Sequence, residues 1–318
     1  MKKLISLIIF ITLIIFIAKG WWDSQLSPVS QDKNTIIFVV DKGESFSQIS
    51  KDLQKASLIK SGWAFNLLAK QSGLGSKILA GTFRLSPSLS ASEILKSLTN
   101  QPLDSWVTLL EGWRKEEMAK KLNEQLGIDE KEFLKIAKEG FSFPDTYLFP
   151  KDYSVEQIVK KLRSTFEEKY TPDLREKIKS LGLTEDQGVI LASIVEREAR
   201  SDKARTEVAS ILLKRFKIEM GLNADATLQY ILGYQTQEKS WWKRNLSKED
   251  KKVDSPYNTY LYRGLPPAPI CNPGLASLKA VANADPKTPY LYYYHDLKGN
   301  SYYAKTLEEH NSNVANNP

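Results

Sequence analysis

Cysteine and histidine are scarce in this sequence: its 318 residues include one cysteine, Cys271, and two histidines, His295 and His310. A single thiol cannot form an intramolecular disulfide, and so few Cys and His residues do not make a zinc site built from protein ligands alone. A Cys–His catalytic pair stays formally open but is disfavoured by the scarcity of both residue types. We therefore expect no metal and no organic cofactor, and carboxylates as the agents of any chemistry.

A strong excess of either charge is also missing. Forty-five Lys and Arg residues face 38 Asp and Glu residues, which gives a net charge of +7. Three of the cations, Lys2, Lys3 and Lys19, lie in the first 20 residues, where no acid occurs. The rest of the chain is only mildly basic, so we expect no nucleic-acid partner. The ordinary proportions of hydrophobic (42%) and charged (26%) residues indicate a globular protein, and its length indicates about two domains.

One long apolar run is present, at residues 4–18, directly after Lys2 and Lys3. A helix extended from this run through Trp22 would span about 28 Å, close to the ~30 Å of a hydrocarbon core. Trp21 and Trp22 would then lie at the membrane–water interface. A cleaved signal peptide is the alternative, but bulky rings follow its best cleavage site at once. We expect an uncleaved single-pass anchor in the cytoplasmic membrane, with the N-terminus inside and the rest of the chain outside.

The remaining sequence divides into segments of different composition. Residues 1–22 are the predicted anchor, and the polar, Pro- and Ser-bearing residues 23–35 are a predicted tether. Residues 36–101 alternate short β-branched strands with amphipathic helices, whereas residues 102–318 are rich in helices. The expected fold class is α+β, with a small α/β module followed by a larger mixed domain. The strand–Gly–helix pattern of the module resembles LysM-like glycan-binding modules; a plain structural module is the alternative.

The most informative stretch is residues 189–200, at the end of a helix predicted over residues 184–199. Its apolar residues point in almost every direction, which is typical of a buried helix, yet Glu196 and Glu198 lie near its C-terminal end. The helix dipole and burial both raise the pKa of a carboxyl at such a position, as a general acid requires. Periodicity does not choose between the two glutamates. One or both could instead simply pair with Arg197, Arg200 or another cation.

Polar and aromatic residues mix with rigid prolines in three later segments. These segments are NADATLQY at 223–230, SPYNTY at 255–260 and GLPPAPICNPG at 264–274. Amide, hydroxyl and phenol groups beside ring faces suit a carbohydrate ligand. The alternative for each segment alone is turn chemistry, in which Pro and Asn serve only the backbone.

Taken in order, the motifs ASIVEREA, NADATLQY, SPYNTY, GLPPAPICNPG and PYLYYY resemble the YceG-like family. Its members are endolytic murein transglycosylases, membrane-anchored enzymes that cut the glycan strands of peptidoglycan. The resemblance covers roughly residues 38–312 and includes FPDTYLFP at 143–150. It implies that the first glutamate of the IVERE motif, Glu196, is the catalytic residue. It also implies peptidoglycan as the substrate, no cofactor, and partnership with peptidoglycan synthases.

The resemblance further assigns a set of polar and aromatic residues to binding of the glycan. They are Asp225, Thr227, Tyr230, Tyr257, Asn258, Thr259, Tyr260 and Asn272. Three positions depart from the family pattern: Ala226 replaces a usual Pro, Ala268 a usual Gly, and Ser301 a common His. The departures leave the expected acid intact but weaken the case for a contribution from position 301.

These residues suggest non-hydrolytic cleavage of the MurNAc–GlcNAc β-1,4 bond. Protonated Glu196 would protonate the glycosidic oxygen and then, as a carboxylate, accept the proton of the C6 hydroxyl while a 1,6-anhydro ring closes. A two-carboxylate peptidoglycan hydrolase with Asp225 as its base is one alternative. A non-enzymatic glycan-binding scaffold of the cell envelope is the other.

Overall fold

The computed structural model describes residues 2–100, 102–151 and 153–317, with side chains from residue 9 onward. The described chain is of mixed α+β type, as predicted, with 13 α-helices and six strands. It divides into two compact units, Met1–Val107 with Tyr147–Asp152, and Thr108–Thr146 with Tyr153–Pro318. We describe each unit by itself.

The first unit begins with a long apolar helix, α1 (Lys2–Leu26). Its window Ile9–Leu26 is long and apolar enough to cross a membrane, and none of that window is buried in the protein. The segment that we predict as a tether, residues 23–35, starts as the last turn of this helix. The N–H groups of Val29 and Ser30 then both donate to the carbonyl of Pro87, so the segment lies against the module.

The rest of the first unit is a four-stranded sheet covered by three helices. The strands follow the order β1 (Ile36–Val40), β2 (Gly81–Leu85), β3 (Asp104–Thr108) and β4 (Thr146–Pro150), and β1–β2 and β2–β3 are antiparallel. The helices are α2 (Phe46–Lys55), α3 (Gly62–Ser72) and α4 (Ala91–Thr99). Ser45, Ser61 and Ser90 cap their N-termini with side-chain oxygens. Their apolar faces pack with β1 and β2 into one core.

The second unit is a helical assembly with a small hairpin. Its helices are α5 (Lys115–Leu126), α6 (Glu130–Ile136), α7 (Val155–Lys169), α8 (Pro172–Ser180), α9 (Glu185–Glu198), α10 (Asp202–Lys217), α11 (Asp225–Leu232), α12 (Leu275–Ala282) and α13 (Leu307–Asn316). The hairpin joins β5 (Tyr292–His295) to β6 (Ser301–Ala304). Every residue from Gly188 to Val195 in α9 is buried, which confirms the prediction of a buried helix.

The end of α9 lies beside the start of α10. Ala199 leaves the helical conformation with an extended backbone, and Ser201 then caps α10 by accepting a hydrogen bond from the Ala204 N–H. The reversal takes only three residues, so the first turn of α10 faces the carboxylates at the end of α9. Arg205 is the cation that this turn supplies.

Gly81, at the start of β2, has a backbone that only glycine accommodates without strain. Its φ is +145°, and an added Cβ would lie 2.4 Å from the Asp104 carbonyl oxygen.

We expect Gly81→Ala to lower the free energy of unfolding by about 3 kcal/mol, because backbone strain and a clash with β3 combine. Chemical denaturation measures this loss. The control is Gly43→Ala, where φ is +82° but the space around the Cβ is open; it should cost about 1 kcal/mol. Equal costs would contradict the clash.

Candidate active site

The two glutamates at the end of α9 point to different surroundings. Successive residues of a helix are about 100° apart, so Glu196 and Glu198 are separated by about 200° around the axis. Glu196 faces the segment that precedes α12, whereas Glu198 faces the N-terminus of α11 and the β5–β6 hairpin. One helix end therefore supplies carboxylates to two separate environments.

Glu198 is partly buried and accepts two hydrogen bonds. The N–H of Ala226 donates to one carboxylate oxygen over 3.4 Å, and the Tyr293 hydroxyl donates to the other over 3.1 Å. Burial raises the pKa of Glu198 to about 7, and the nearby charge of Asp225 acts in the same direction. The Glu198 carboxyl is therefore protonated in a substantial fraction of molecules at neutral pH, as a general acid requires.

Glu198 lies between two adjoining cavities. The first has a volume of about 490 Å³, and Asp225, Tyr260 and Arg215 share its wall with Glu198. The second has a volume of about 370 Å³ and is lined on one side by Arg200 and Ser201 of the α9–α10 turn. Glu198 and His295 belong to both walls. Both volumes fall in the range of small-ligand sites, about 300–1,000 Å³. A chain-like ligand that occupied both cavities would pass the Glu198 carboxyl.

Glu196 is nearly buried, with 5% of its side chain exposed. One oxygen accepts a hydrogen bond from the Gly274 N–H over 2.9 Å, and the other is 3.5 Å from an Arg205 nitrogen. The ion-pair partner is thus Arg205, in α10. Arg197 instead lies over the ring of Trp242, 3.8 Å from its centroid.

Glu111 is a carboxylate near Glu196 that sequence reasoning did not single out. The Gly112 N–H donates to the Asn272 carbonyl and the Asn272 N–H to the Trp113 carbonyl, which joins two distant segments. The Glu111 carboxyl consequently lies against Gly274, where an added Cβ would be 1.9 Å from its oxygen. Burial and the charge of Glu196 raise the pKa of Glu111. In the sequence, the only indication of Glu111 was a Glu-Gly pair after an apolar strand, and this pair did not predict which residue Glu111 would contact.

Asp225 and Tyr260, both assigned to glycan binding by the resemblance, lie together at the Glu198 cavity. The Tyr260 hydroxyl donates to the Asp225 carboxylate over 2.6 Å. Burial and this hydrogen bond raise the pKa of Tyr260. Asp225 is exposed at the start of α11 and is free to meet a ligand.

Tyr230 and Tyr257 belong to a different group, an aromatic cluster around Arg114. Their ring centroids are 4.9 Å apart, and the Arg114 guanidinium lies 4.1 Å from the Tyr230 ring. Trp241 covers the same guanidinium, 4.7 Å from its ring centroid. The cluster places three partly exposed rings around a buried guanidinium in the second unit.

Three of the assigned residues are buried and bind the backbone. Thr227 donates to the Ala224 carbonyl over 2.7 Å, and Thr259 accepts from the Ala224 N–H over 3.0 Å. Asn258 donates to the Val253 carbonyl and accepts from the Tyr260 N–H. These bonds hold the segment before α11 and the 255–260 segment in one arrangement.

Asn272 is fully buried and makes three kinds of hydrogen bond. Its amide accepts from the Ser142 N–H and donates to the Trp113 carbonyl and to the Glu139 carboxylate. Burial raises the pKa of Glu139 to about 8, and the charge of Glu116 adds to the effect.

The departures from the family pattern have distinct surroundings. Ala226 supplies the N–H that binds Glu198, and a proline there could not donate this bond. Ser301 Oγ lies 2.9 Å from His295 Nδ1. Nothing in the structure explains Ala268. Among the residues with described side chains, no group of three or more His, Cys, Asp or Glu could hold a metal ion.

Two nitrogen atoms near the Glu198 cavity are buried and unpaired within the described part of the chain. They are His295 Nε2 and His310 Nδ1. Both histidines line the 490 Å³ cavity. A buried polar atom without a partner is costly, so each of these nitrogens lowers the stability of the cavity wall.

The model of the YceG-like family matches residues 38–316. A curated relative, the endolytic murein transglycosylase of Bacillus subtilis strain 168, is 31% identical over 324 residues, which cover 91% of this chain and 86% of the relative. The protein of the same name from Streptococcus pneumoniae strain D39 is 26% identical over 339 residues, which cover 92% of this chain and 60% of the relative.

A solved structure has a similar fold. The crystal structure of a YceG-like protein from Listeria monocytogenes matches with a TM-score of 0.63 and 27% sequence identity. The match covers 88% of this chain and 99% of that chain.

Asn272→Ala should destabilise the second unit because Ser142, Trp113 and Glu139 would each lose a buried partner. We expect the free energy of unfolding to fall by about 3 kcal/mol, measured by chemical denaturation. Asn283→Ala is the control, since its exposed amide bonds only the Lys279 carbonyl of its own helix; it should cost about 0.5 kcal/mol. A similar small loss for both variants would show that the Asn272 bonds do not hold the fold.

Proposed function

Because the chain belongs to the YceG-like family, we propose that it is a lytic transglycosylase that cleaves the MurNAc–GlcNAc β-1,4 bond of peptidoglycan and leaves a 1,6-anhydroMurNAc end. The names of the Bacillus subtilis and Streptococcus pneumoniae relatives support this activity. The carboxyl at the junction of two cavities, with a pKa near neutrality, is the observation that supports it in this chain.

Glu198 is the proton donor that this geometry favours. It combines a cavity-facing carboxyl, a pKa of about 7, and a hydroxyl donor from Tyr293 that holds one of its oxygens in place. Glu196, the residue that the family resemblance assigned, is bound by the Gly274 N–H and lies beside the Arg205 guanidinium. Its assignment remains the competing prediction, and a comparison of the two variants distinguishes them.

The proposed reaction uses one carboxyl twice. Protonated Glu198 transfers its proton to the glycosidic oxygen, and the bond from that oxygen to C1 of MurNAc breaks. The N-acetyl group of the sugar stabilises the positive charge at C1. The Glu198 carboxylate then accepts the proton of the C6 hydroxyl while the C6 oxygen bonds to C1. The donor is regenerated, and no water is consumed.

The glycan would run through both cavities, with the scissile bond at Glu198. Asp225 and Tyr260 offer a carboxylate and a phenol to sugar hydroxyls in the larger cavity, whose wall also includes His295 and His310. We propose that Tyr230 and Tyr257 bind a more distant part of the strand through their rings. Sugar C–H surfaces pack on such faces.

The buried members of the assigned set contribute indirectly in this proposal. Thr227, Asn258 and Thr259 keep Asp225 and Tyr260 in place through bonds to the neighbouring backbone. Asn272 holds the segment that carries the Gly274 N–H.

Two other functions make different predictions. A hydrolase would use Asp225, which lines the same cavity as Glu198, as the base that activates water. Hydrolysis leaves free reducing ends, whereas the proposed reaction leaves anhydro ends that are one water lighter. A glycan-binding scaffold would release neither product.

We also propose an arrangement of the chain around this activity. Residues 1–22 would anchor it in the cytoplasmic membrane with the N-terminus inside, and residues 102–318 would form the catalytic domain outside. Residues 36–101 would act as a LysM-like module that binds glycan. A hollow of about 590 Å³ in this module, lined by Phe46, Asn66 and Lys70, is a candidate place for a sugar. Peptidoglycan synthases are the proposed partners.

Glu198→Gln should abolish release of anhydro-ended fragments, with a loss of about 10³-fold, because an amide cannot protonate the leaving oxygen. Glu196→Gln, the matched control two residues away, keeps an oxygen for the Gly274 N–H and should lose less than about tenfold. Digests of uncrosslinked glycan, analysed by mass spectrometry, measure both.

The opposite result, an inactive Glu196→Gln beside an active Glu198→Gln, would restore the assignment made by the resemblance. Release by neither the wild type nor either variant would favour the scaffold.

The pH dependence of kcat/KM should follow the Glu198 carboxyl. Its pKa of about 7 lies above the usual value, so the reactive protonated form is present at acid pH and is lost as the pH rises. We expect kcat/KM to fall about tenfold per pH unit above neutrality. Initial rates of anhydro-product formation between pH 5 and 9 measure it. A profile that stays flat through pH 8 would contradict the role of this group.

A further inference from the structure

Three tryptophans meet where α1 joins the module of the first unit. Trp21 and Trp22 lie near the end of α1, and Trp63 lies in the first turn of α3. The ring centroid of Trp63 is 6.2 Å from that of Trp21 and 6.4 Å from that of Trp22. Trp63 is nevertheless 63% exposed, and Trp21 is 53% exposed. So much exposed indole in one place marks an interaction surface.

The position of Trp63 beside α1 is fixed by several contacts. Leu26, the last residue of α1, packs against the core of the module. The Lys60 ammonium donates to the Ser27 hydroxyl over 2.8 Å, and the Val29 N–H donates to the Pro87 carbonyl over 3.0 Å. Trp63 therefore cannot move far along the axis of α1, and it shares the surroundings of Trp21 and Trp22.

We propose that Trp63 inserts into the interfacial layer of a phospholipid bilayer and, with Trp21 and Trp22, seats the module on the membrane surface. The proposal rests on the anchor assigned to residues 1–22 under the proposed function. It adds that the module, and not the helix alone, binds lipid.

The depth of the three rings supports lipid as the occupant. The helix from residue 4 to Trp22 measures about 28 Å, so Trp21 and Trp22 fall where a hydrocarbon core of ~30 Å ends. Trp63 lies one ring contact away, and indole rings favour this layer because they are apolar with one polar N–H. Lys19 and Lys60 flank the rings in sequence and can meet lipid phosphates. A protein partner would need to fit against the anchor at this same depth.

A spin label at position 63 tests the proposal directly in the full-length chain. The natural thiol, Cys271, is fully buried, so a label attaches selectively to Trp63→Cys. The protein is reconstituted into vesicles of phosphatidylcholine and phosphatidylglycerol. We expect the label to be relaxed at least threefold more by oxygen, which concentrates in lipid, than by a water-soluble nickel complex. The control is Gln71→Cys, on an exposed residue about 12 Å further along α3, where the nickel complex should dominate.

Equal dominance of the nickel complex at positions 63 and 71 would overturn the proposal. So would protection of position 63 from both reagents, which would indicate a protein partner. A second measurement needs no introduced cysteine and no label. Bromolipids should quench the tryptophan fluorescence of the wild type, and Trp63→Phe should remove about a third of the quenched amplitude. An unchanged amplitude would also overturn it.

Failure of this proposal is separable from failure of the proposed function. Trp63→Phe should still release anhydro-ended fragments from soluble glycan at the rate of the wild type. If lipid contact is absent but product still forms, only the insertion of Trp63 into the membrane is rejected. If lipid contact is normal but no product forms, only the proposed enzymatic activity is rejected.

Discussion

The burial of α9 is the constraint on which the second unit depends. A helix that is enclosed on every side from Gly188 to Val195 fixes the direction and depth of its last turn. Within that enclosure Ser193 has no exposure, and its hydroxyl accepts a hydrogen bond from the Ile270 N–H while the Cys271 thiol donates to its carbonyl. The helix thereby holds the segment that leads to Asn272 and Gly274. The same packing that stabilises the core thus aligns the N–H group that binds Glu196.

The two glutamates show how burial produces different chemistry in neighbouring residues. Glu196 accepts a hydrogen bond from the Gly274 N–H and lies 3.5 Å from an Arg205 nitrogen. Glu198 has Asp225 nearby, and its donors do not compensate for the cost of burial, so its pKa rises. A spacing of two residues on a helix is what separates these environments. Under the proposed function Glu198 is the residue that protonates the ligand, and Glu196 stays the competing prediction.

The features that were predictable from sequence are those governed by local periodicity. The buried α9 and the alternation of short strands and helices in residues 36–101 follow from neighbouring residues. Glu111 did not, because its approach to Gly274 depends on hydrogen bonds between segments far apart in the chain. Periodicity did not choose between Glu196 and Glu198, because their surroundings include distant parts of the chain, such as the hairpin residues that line the cavity beside Glu198. The sequence likewise did not predict a role for Trp63, because the rings that it contacts lie in α1, far away in the chain.

The hydrogen bonds from Val29 and Ser30 to Pro87 hold the module close to the end of the apolar helix. A domain of this size is about 30 Å across. With α1 in a bilayer, any sugar held by the module would then lie within about one module diameter of the lipid. The short connection would therefore limit the module to glycan that lies close to the membrane surface.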